Sequence, residues 1–526
     1  MADLTVAEDK AAAGAQGMLV AWWAARLPDR VALLTPYGDR TFDELNANVN
    51  RLVRALRARG LKAGDSVAVM CTNRPEFLET LYATQRAGMR WTPINWHLTA
   101  EEAAYIVENC EAKAFIASAD LGDKIVEAAK AGGDTLVRID IGGLIPGFSM
   151  YHEVVAAQEG SNIEDPTLGT QMLYTSGTTG RPKGVHREGV APSALATINF
   201  CGYDEDWEHS VDAHLCTGPL YHAAPLAFSV AVPMAYGVPI VVMERWDPAE
   251  TLRLIERHGV THTHMVPTMF HRMLALPDDV RTKFDLSSLR FVIHGAAPCP
   301  VPVKQRLIEW LGPIVVEYYA ATEGLGTLVD SATWLAHPGT VGRPMVRGLV
   351  KVADDDGNDL PPGEIGLVWL RAVPSTKFDY YHDKEKTASA FRGEYFTLGD
   401  MGYMDADGFL FLTDRTANLI ISGGVNIYPA EVDAVLLQHP AVGDVATIGV
   451  PDDEWGEAVK AVVQLADGTE PSDALAQELM AFCREHLAHF KCPRSVDFVE
   501  QLPREDTGKI FKRKLRDMYR AAAGQP

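Results

Sequence analysis

Between Gly64 and about Asp330 the chain alternates two kinds of stretch. Short runs rich in β-branched and other apolar residues, such as Ser66-Val67-Ala68-Val69-Met70, Ala114-Phe115-Ile116-Ala117 and Phe291-Val292-Ile293, are interleaved with amphipathic stretches of helical length. One such stretch opens on Thr99-Ala100-Glu101-Glu102, the spacing of a capping box, in which Thr and Glu satisfy each other's backbone N–H groups. Strands alternating with helices over this length predict an α/β fold of mostly parallel sheets flanked by helices. Beyond Val341 the texture changes to short strands broken by turns such as Asp354-Asp355-Asp356-Gly357 and Asp405-Ala406-Asp407-Gly408, which predicts a small β-barrel-like part. After Asp414-Arg415 a compact α+β pattern follows: helix 429–439, strands 445–450 and 459–464, helix 473–489. The expected division is a large N-terminal domain, 1–414, and a small C-terminal domain, 415–526.

Residues 223–243 form a 21-residue stretch without a charge, long enough on count alone to span a bilayer. Pro225, Pro233, Gly237 and Pro239 interrupt it, so a buried helix followed by a strand is the expectation and a transmembrane segment is not. The 526 residues carry 48 Lys+Arg against 70 Asp+Glu, a formal net charge of −22. Such a field disfavours nucleic acid and anionic lipid as partners, and an anionic substrate needs a dedicated cationic pocket. The seven cysteines are scattered and never spaced C-x-x-C, and the N-terminus shows no secretory pattern, so a reducing cytoplasm is the expected location.

The densest chemical signal is Tyr174-Thr175-Ser176-Gly177-Thr178-Thr179-Gly180-Arg181-Pro182-Lys183-Gly184. A largely apolar run feeds a loop with four hydroxyl residues, three glycines and two cations. Phosphate oxygens need many donors at close range: glycines let backbone N–H groups approach, hydroxyls add donors, and Lys183 adds charge. No G-x-x-x-x-G-K-[ST] occurs in this segment, so Walker-type NTPase chemistry is disfavoured.

This segment resembles the nucleotide-phosphate signature of the adenylate-forming superfamily: acyl-CoA synthetases, peptide-synthetase adenylation domains and beetle luciferases. The resemblance runs from about Thr41 to Lys514. Its further motifs, in the family's order, are Gly295-Ala296-Ala297-Pro298, Tyr319-Ala320-Ala321-Thr322-Glu323-Gly324, Tyr395-Phe396-Thr397-Leu398-Gly399-Asp400, Ser422-Gly423-Gly424-Val425-Asn426-Ile427-Tyr428-Pro429 and Pro503-Arg504-Glu505-Asp506-Thr507-Gly508-Lys509. It implies ATP and coenzyme A as co-substrates and Mg²⁺ as metal. Thr175, Ser176, Gly177, Thr178, Thr179, Gly180 and Lys183 would cradle the phosphates. Gly295, Ala296 and Ala297 would lie against the adenine and the acyl carbonyl, and the Tyr319 ring would stack on the base. Thr322 would donate to the α-phosphate and Glu323 would supply the oxygen ligand that a hard cation prefers. Asp400 and Arg415 would hold the ribose. Lys509, on a small mobile domain, would stabilise the charge that gathers on the α-phosphate as the acid attacks. After that domain rotates, Gly423 and Gly424 would line the pantetheine tunnel. Two positions depart from the family: Ala417 stands where Asp or Lys is usual at the hinge, and Ala320 replaces a common glycine.

The segment Pro219-Leu220-Tyr221-His222-Ala223-Ala224-Pro225 resembles the family's lining of the carboxylate entrance, with His222 as an aromatic gate and Gly324 beside the acyl group. Ala223 and Ala224 cannot hold an α-ammonium, so an apolar carboxylic acid (fatty, aryl or steroid-side-chain) is expected rather than an amino acid. His294 either borders the acyl site or is a satisfied core histidine. Thr261-His262-Thr263-His264 places two histidines on one face of a strand, a metal pair or strand packing. The expected activity is AMP-forming ligation of a hydrophobic acid to CoA. The alternatives are adenylation that loads a carrier protein, and an inactive membrane-linked acyl-binding protein. Oligomeric state stays open, a homodimer included.

Overall fold

The computed structural model describes residues 6–175, 182–187, 199–354, 356–372, 377–415, 418–422, 425–452, 455–504 and 510–522. Its architecture is the mixed α/β arrangement expected from the alternation. One sheet has six strands, all parallel, in the order Ser149–Met150, Val137–Ile141, Ala112–Ser118, Ser66–Met70, Arg90–Pro93, Thr170–Gln171. All five residues of Ser66–Met70 are buried, as a strand covered on both faces requires. A second sheet of nine strands runs Arg343–Pro344, Gly324–Val329, Val315–Ala321, Phe291–His294, His262–Met265, His214–Cys216, Ile240–Val242, Val31–Leu34, Arg40–Thr41. Its centre is parallel and its two ends turn antiparallel.

The turn-rich region forms an antiparallel five-stranded sheet built on Tyr395–Met404, which pairs with Gly366–Arg371, Phe391–Arg392 and Leu410–Arg415. A further five-stranded sheet, in which Val442–Asp452 and Gly456–Leu465 form the longest pair, carries the C-terminal part. The capping box forms as read: Glu102 N–H donates to Thr99 Oγ1 at 3.3 Å and Thr99 N–H to Glu102 Oε2 at 2.9 Å.

Residues 223–243 are the expected buried helix and strand. The helical piece Ala223–Leu226 widens into a π-turn, Ala227–Ala231, before Val232–Ala235 and the strand Ile240–Val242. The wide turn precedes Pro233, whose missing N–H interrupts the helical ladder. Among the described residues no helix is long and apolar enough to cross a membrane. Element ends differ from expectation where turn chemistry intervenes. The helix expected over 429–439 is Pro429–Leu436, because the chain must leave the α region before Pro440. The helix expected over 473–489 stops at His486, since Leu487 is extended at φ −130° and ψ 157°.

Candidate active site

A continuous cavity of about 2870 Å³ opens at the C-terminal edge of the nine-stranded sheet and is closed on one side by the small domain. Two hairpins bring the nucleotide motifs to it. In the first, Lys183 lies directly across from Thr175 on antiparallel strands, and both line the cavity. Ser176, Gly177, Thr178, Thr179 and Gly180 lie outside the described residues. In the second, Ala321 pairs with Gly324, so Thr322 and Glu323 form a two-residue hairpin tip presented to the cavity. Gly324 is small of necessity, since a Cβ there would stand 2.9 Å from the Phe396 ring.

Glu323 is buried and its Oε1 accepts the Tyr380 hydroxyl at 3.0 Å. Arg187 donates to the Thr322 carbonyl at 2.5 Å, and burial lowers its pKa against the opposing pull of Glu323. Lys183 stands 5.7 Å over the Tyr380 ring, its pKa lowered by partial burial and by Lys386. Arg187, Tyr380 and Lys386, all in the cavity wall, thus extend the cationic, hydroxyl-bearing pocket that an anionic substrate requires. The donor set at Glu323 fits magnesium: a hard oxygen ligand facing space for phosphates. Among the described residues no three His, Cys, Asp or Glu side chains gather around a point. A magnesium ion here would take one carboxylate and complete its shell with nucleotide oxygens and water.

Tyr319 donates its hydroxyl to Asp400 Oδ2 at 2.7 Å, joining the residues expected at the base and at the ribose. Asp400 reaches that position through an irregularity: the register between Gly366–Arg371 and Tyr395–Met404 shifts beside it, and Gly399 takes φ +80°. Arg415 lies opposite Asp400 in the backbone ladder, with its side chain outside the described residues. Ala296 and Ala297 line the cavity, and Ala296 is held at φ +69°, a conformation costly for an L-residue. Gly295 lies between them and Tyr318. A Cβ at Gly295 would fall 2.6 Å from the Tyr318 carbonyl oxygen and 2.7 Å from its ring. A Gly295→Ala variant is expected to displace the Ala296–Ala297 turn and raise KM for ATP about tenfold or more, the effect of roughly 1–3 kcal/mol of overpacking; steady-state kinetics with ATP varied would show it.

His222, at the N-cap of Ala223–Leu226, lines the cavity beside Tyr221. Of the two expectations for His294 the core position is the one its surroundings favour, since it is not among the residues that line the cavity. The ring is fully buried behind Glu317, 3.8 Å from Oε2 and edge-on to Phe270 at 5.0 Å; burial and Lys304 hold it well below the usual imidazole range. The group that faces the cavity there is Glu317, paired at 2.6 Å with the wholly buried Lys304. His262 and His264 do share a face, and each has a hydrogen-bond partner: His262 Nε2 meets the Cys201 carbonyl at 3.0 Å and His264 Nε2 the Tyr318 hydroxyl at 2.9 Å. Burial lowers them to about 4 and about 3, so they are neutral members of an aromatic layer with Phe228 and Tyr203.

The small domain docks on the helix Pro267–Leu274. His271 Nε2 donates to the Gly443 carbonyl at 2.8 Å, and Arg504, ion-paired with Asp444, donates to Thr268 Oγ1 at 3.3 Å. Lys509 lies outside the described residues; Arg504 and Ile510, which flank its segment, bridge to each other and both line the cavity. Ala417, Gly423 and Gly424 also lie outside them. The hairpin strands flanking the two glycines carry Ile421 and Val425, 53% and 45% exposed, near Trp455 at 40%; none of the three lines the cavity.

Two family models match the chain: AMP-binding enzyme over residues 20–377, and AMP-binding enzyme C-terminal domain over residues 431–509. A feruloyl-CoA synthase from an Amycolatopsis species is 35% identical over 482 residues, covering 91% of this chain and 94% of that protein. The fatty acid–[acyl-carrier-protein] ligase ScoC of Streptomyces coeruleorubidus is 32% identical over 509 residues, covering 94% of each. Among solved structures, that of the anthranilate CoA ligase AuaEII in complex with anthranoyl-AMP superposes with a TM-score of 0.86 at 27% identity, covering 97% of this chain and 98% of that one.

Proposed function

Since the chain belongs to the AMP-binding enzyme family, we propose that it is an ATP-dependent acid–CoA ligase that activates a hydrophobic carboxylic acid as its adenylate and transfers the acyl group to the CoA thiol. The observation that carries this reading is the convergence on one cavity of Thr175 and Lys183, Thr322 and Glu323, Tyr319 and Asp400, and the residues flanking Lys509, beside an apolar extension walled by alanines.

In the first step a carboxylate oxygen of the acid forms a bond to the α-phosphorus of ATP and the bond to the bridging oxygen of pyrophosphate breaks. Lys183 and the hydroxyl loop would hold the leaving phosphates. Thr322 would donate to a non-bridging oxygen of the α-phosphate, and Lys509 would neutralise the charge that grows there. Magnesium, held by Glu323, would supply further charge stabilisation on the phosphates. In the second step the thiol sulfur attacks the acyl carbon, AMP leaves, and the thiol proton is released.

Ala223 and Ala224 at the entrance favour an acid without an α-ammonium. The similarity to ScoC keeps carrier loading as the competing reading. The test is AMP release across a panel of fatty, aryl and polycyclic acids. The expected result is acid-dependent pyrophosphate exchange without CoA and continuous AMP release only with CoA. Exchange that turns over only with a phosphopantetheinylated carrier would transfer the reading to the alternative, and absence of exchange with every acid would overturn it.

A further inference from the structure

The apolar extension of the cavity has a cation in its wall. Ala223, Ala227, Ala231 and Ala235 recur every fourth residue along the helical stretch that starts at His222, and all four line the cavity. Twelve residue-to-residue steps at about 1.5 Å rise make this wall roughly 18 Å long. The helix Val6–Ala15 lies across its far end and turns Lys10, Ala11 and Gly14 to the same cavity. Lys10 is half-buried there. Its Nζ donates to the Ala235 carbonyl at 3.1 Å and stands 5.2 Å from the Tyr236 ring and 5.8 Å from the Trp23 ring. Among the described residues no carboxylate lies within ion-pair distance of it, and burial lowers its pKa against the pull of Glu205.

An ammonium turned toward an apolar space is costly unless partners meet it. The Ala235 carbonyl takes one of its three N–H groups and the rings contribute modestly. A long apolar acid ending in a methyl group would offer the remaining donors no acceptor and would cover part of their access to water. An acid with an oxygen acceptor at that end would complete the shell. On the ligase reading above, we propose that the acid activated here carries a ketone or a second carboxylate at the end far from its reacting carboxyl, and that Lys10 recognises that oxygen. The carboxyl is activated at the nucleotide while the acceptor is read at the opposite end of the alanine wall, so Lys10 sets specificity and takes no part in the chemistry.

The test uses the full-length enzyme and matched pairs of acids, straight-chain monoacids against ω-dicarboxylic and terminal-keto acids of the same length, across a series of lengths. The expected result is an optimum length at which the oxygen-ended acid has a kcat/KM at least tenfold above its methyl-ended partner, the size of a hydrogen bond from a charged donor. In Lys10→Met that ratio should fall to near one, and in Lys10→Arg much of it should return. The diacid and keto arms show which acceptor is used, and preference for either supports the proposal. Methyl-ended acids preferred at every length would overturn it. So would equal losses for both members of each pair in Lys10→Met, which would make Lys10 only an anchor for its helix. Absence of pyrophosphate exchange with every acid is a different outcome, overturning the ligase reading rather than the role of Lys10 alone.

Discussion

A Lys509→Ala variant is expected to lose acid-dependent pyrophosphate exchange by about 10²–10³-fold while still converting a supplied acyl-adenylate and CoA to the thioester. The asymmetry follows from where charge develops. Attack at the α-phosphorus concentrates negative charge on its non-bridging oxygens, and removing one preorganised donor from such a site typically costs about 3–4 kcal/mol. In thioester formation the departing AMP also gains a phosphate charge, but there, as the resemblance implies, the small domain would have rotated Lys509 away, so removing its ammonium would cost that step little. Among the described residues the small domain docks through His271 with the Gly443 carbonyl and Arg504 with Thr268, and Ile510 lines the cavity. The substitution should therefore leave docking intact and remove only the charge. The two half-reactions measured separately on the same preparation provide the check; equal loss in both would remove Lys509 from the adenylation step.

Much of this arrangement was legible in the sequence because its signals are local. The strand–helix alternation, the Thr99–Glu102 capping box and the proline-broken stretch 223–243 each depend on residues within a few positions of one another. The motif Tyr319 to Glu323 was equally legible, and the structure adds that its tip is a two-residue turn joining antiparallel strands. What escaped were pairings across long separations. Tyr380 meets Glu323 across 57 residues, and Lys10 meets Ala235 across 225, with no periodicity to announce either. His294 stayed open between cavity and core for a related reason. A histidine ending a strand beside Gly295 reads as a cavity residue, but the adjacent strand sets Glu317 in front of it in register. Arg187 had a faint signal, a third cation shortly after Lys183 at the end of the same strand, which only the fold connects to Thr322.

The Lys304–Glu317 pair carries the second large effect. Lys304 is fully buried on the helix Val301–Leu311, its Nζ 2.6 Å from Glu317 Oε2 and 4.6 Å from the centre of the Trp334 ring. Replacing Lys304 by Met keeps the aliphatic stem and strands the carboxylate in a low-dielectric interior, which should lower the stability of the large domain by about 3–5 kcal/mol at neutral pH. The pH dependence has a definite sign. Burial raises the Glu317 pKa and Lys304 opposes the rise, so removing Lys304 lifts the folded-state value further above that of the unfolded chain. A carboxyl raised in this way favours folding when protonated. The deficit should therefore be small below the ordinary glutamate range and open as pH rises through the raised folded-state value. Urea midpoints of the wild type and Lys304→Met, compared at mildly acidic and neutral pH, would show the gap widening toward neutrality. Adding Glu317→Gln should close most of that gap, because an amide can be buried without a counter-ion. Because Glu317 faces the cavity, the double variant also separates fold from function. Recovered stability with KM for ATP or acid still raised would mean that the carboxylate contacts a substrate, whereas full recovery of both would confine the pair to holding the strand Val315–Ala321, and with it Tyr319, in place.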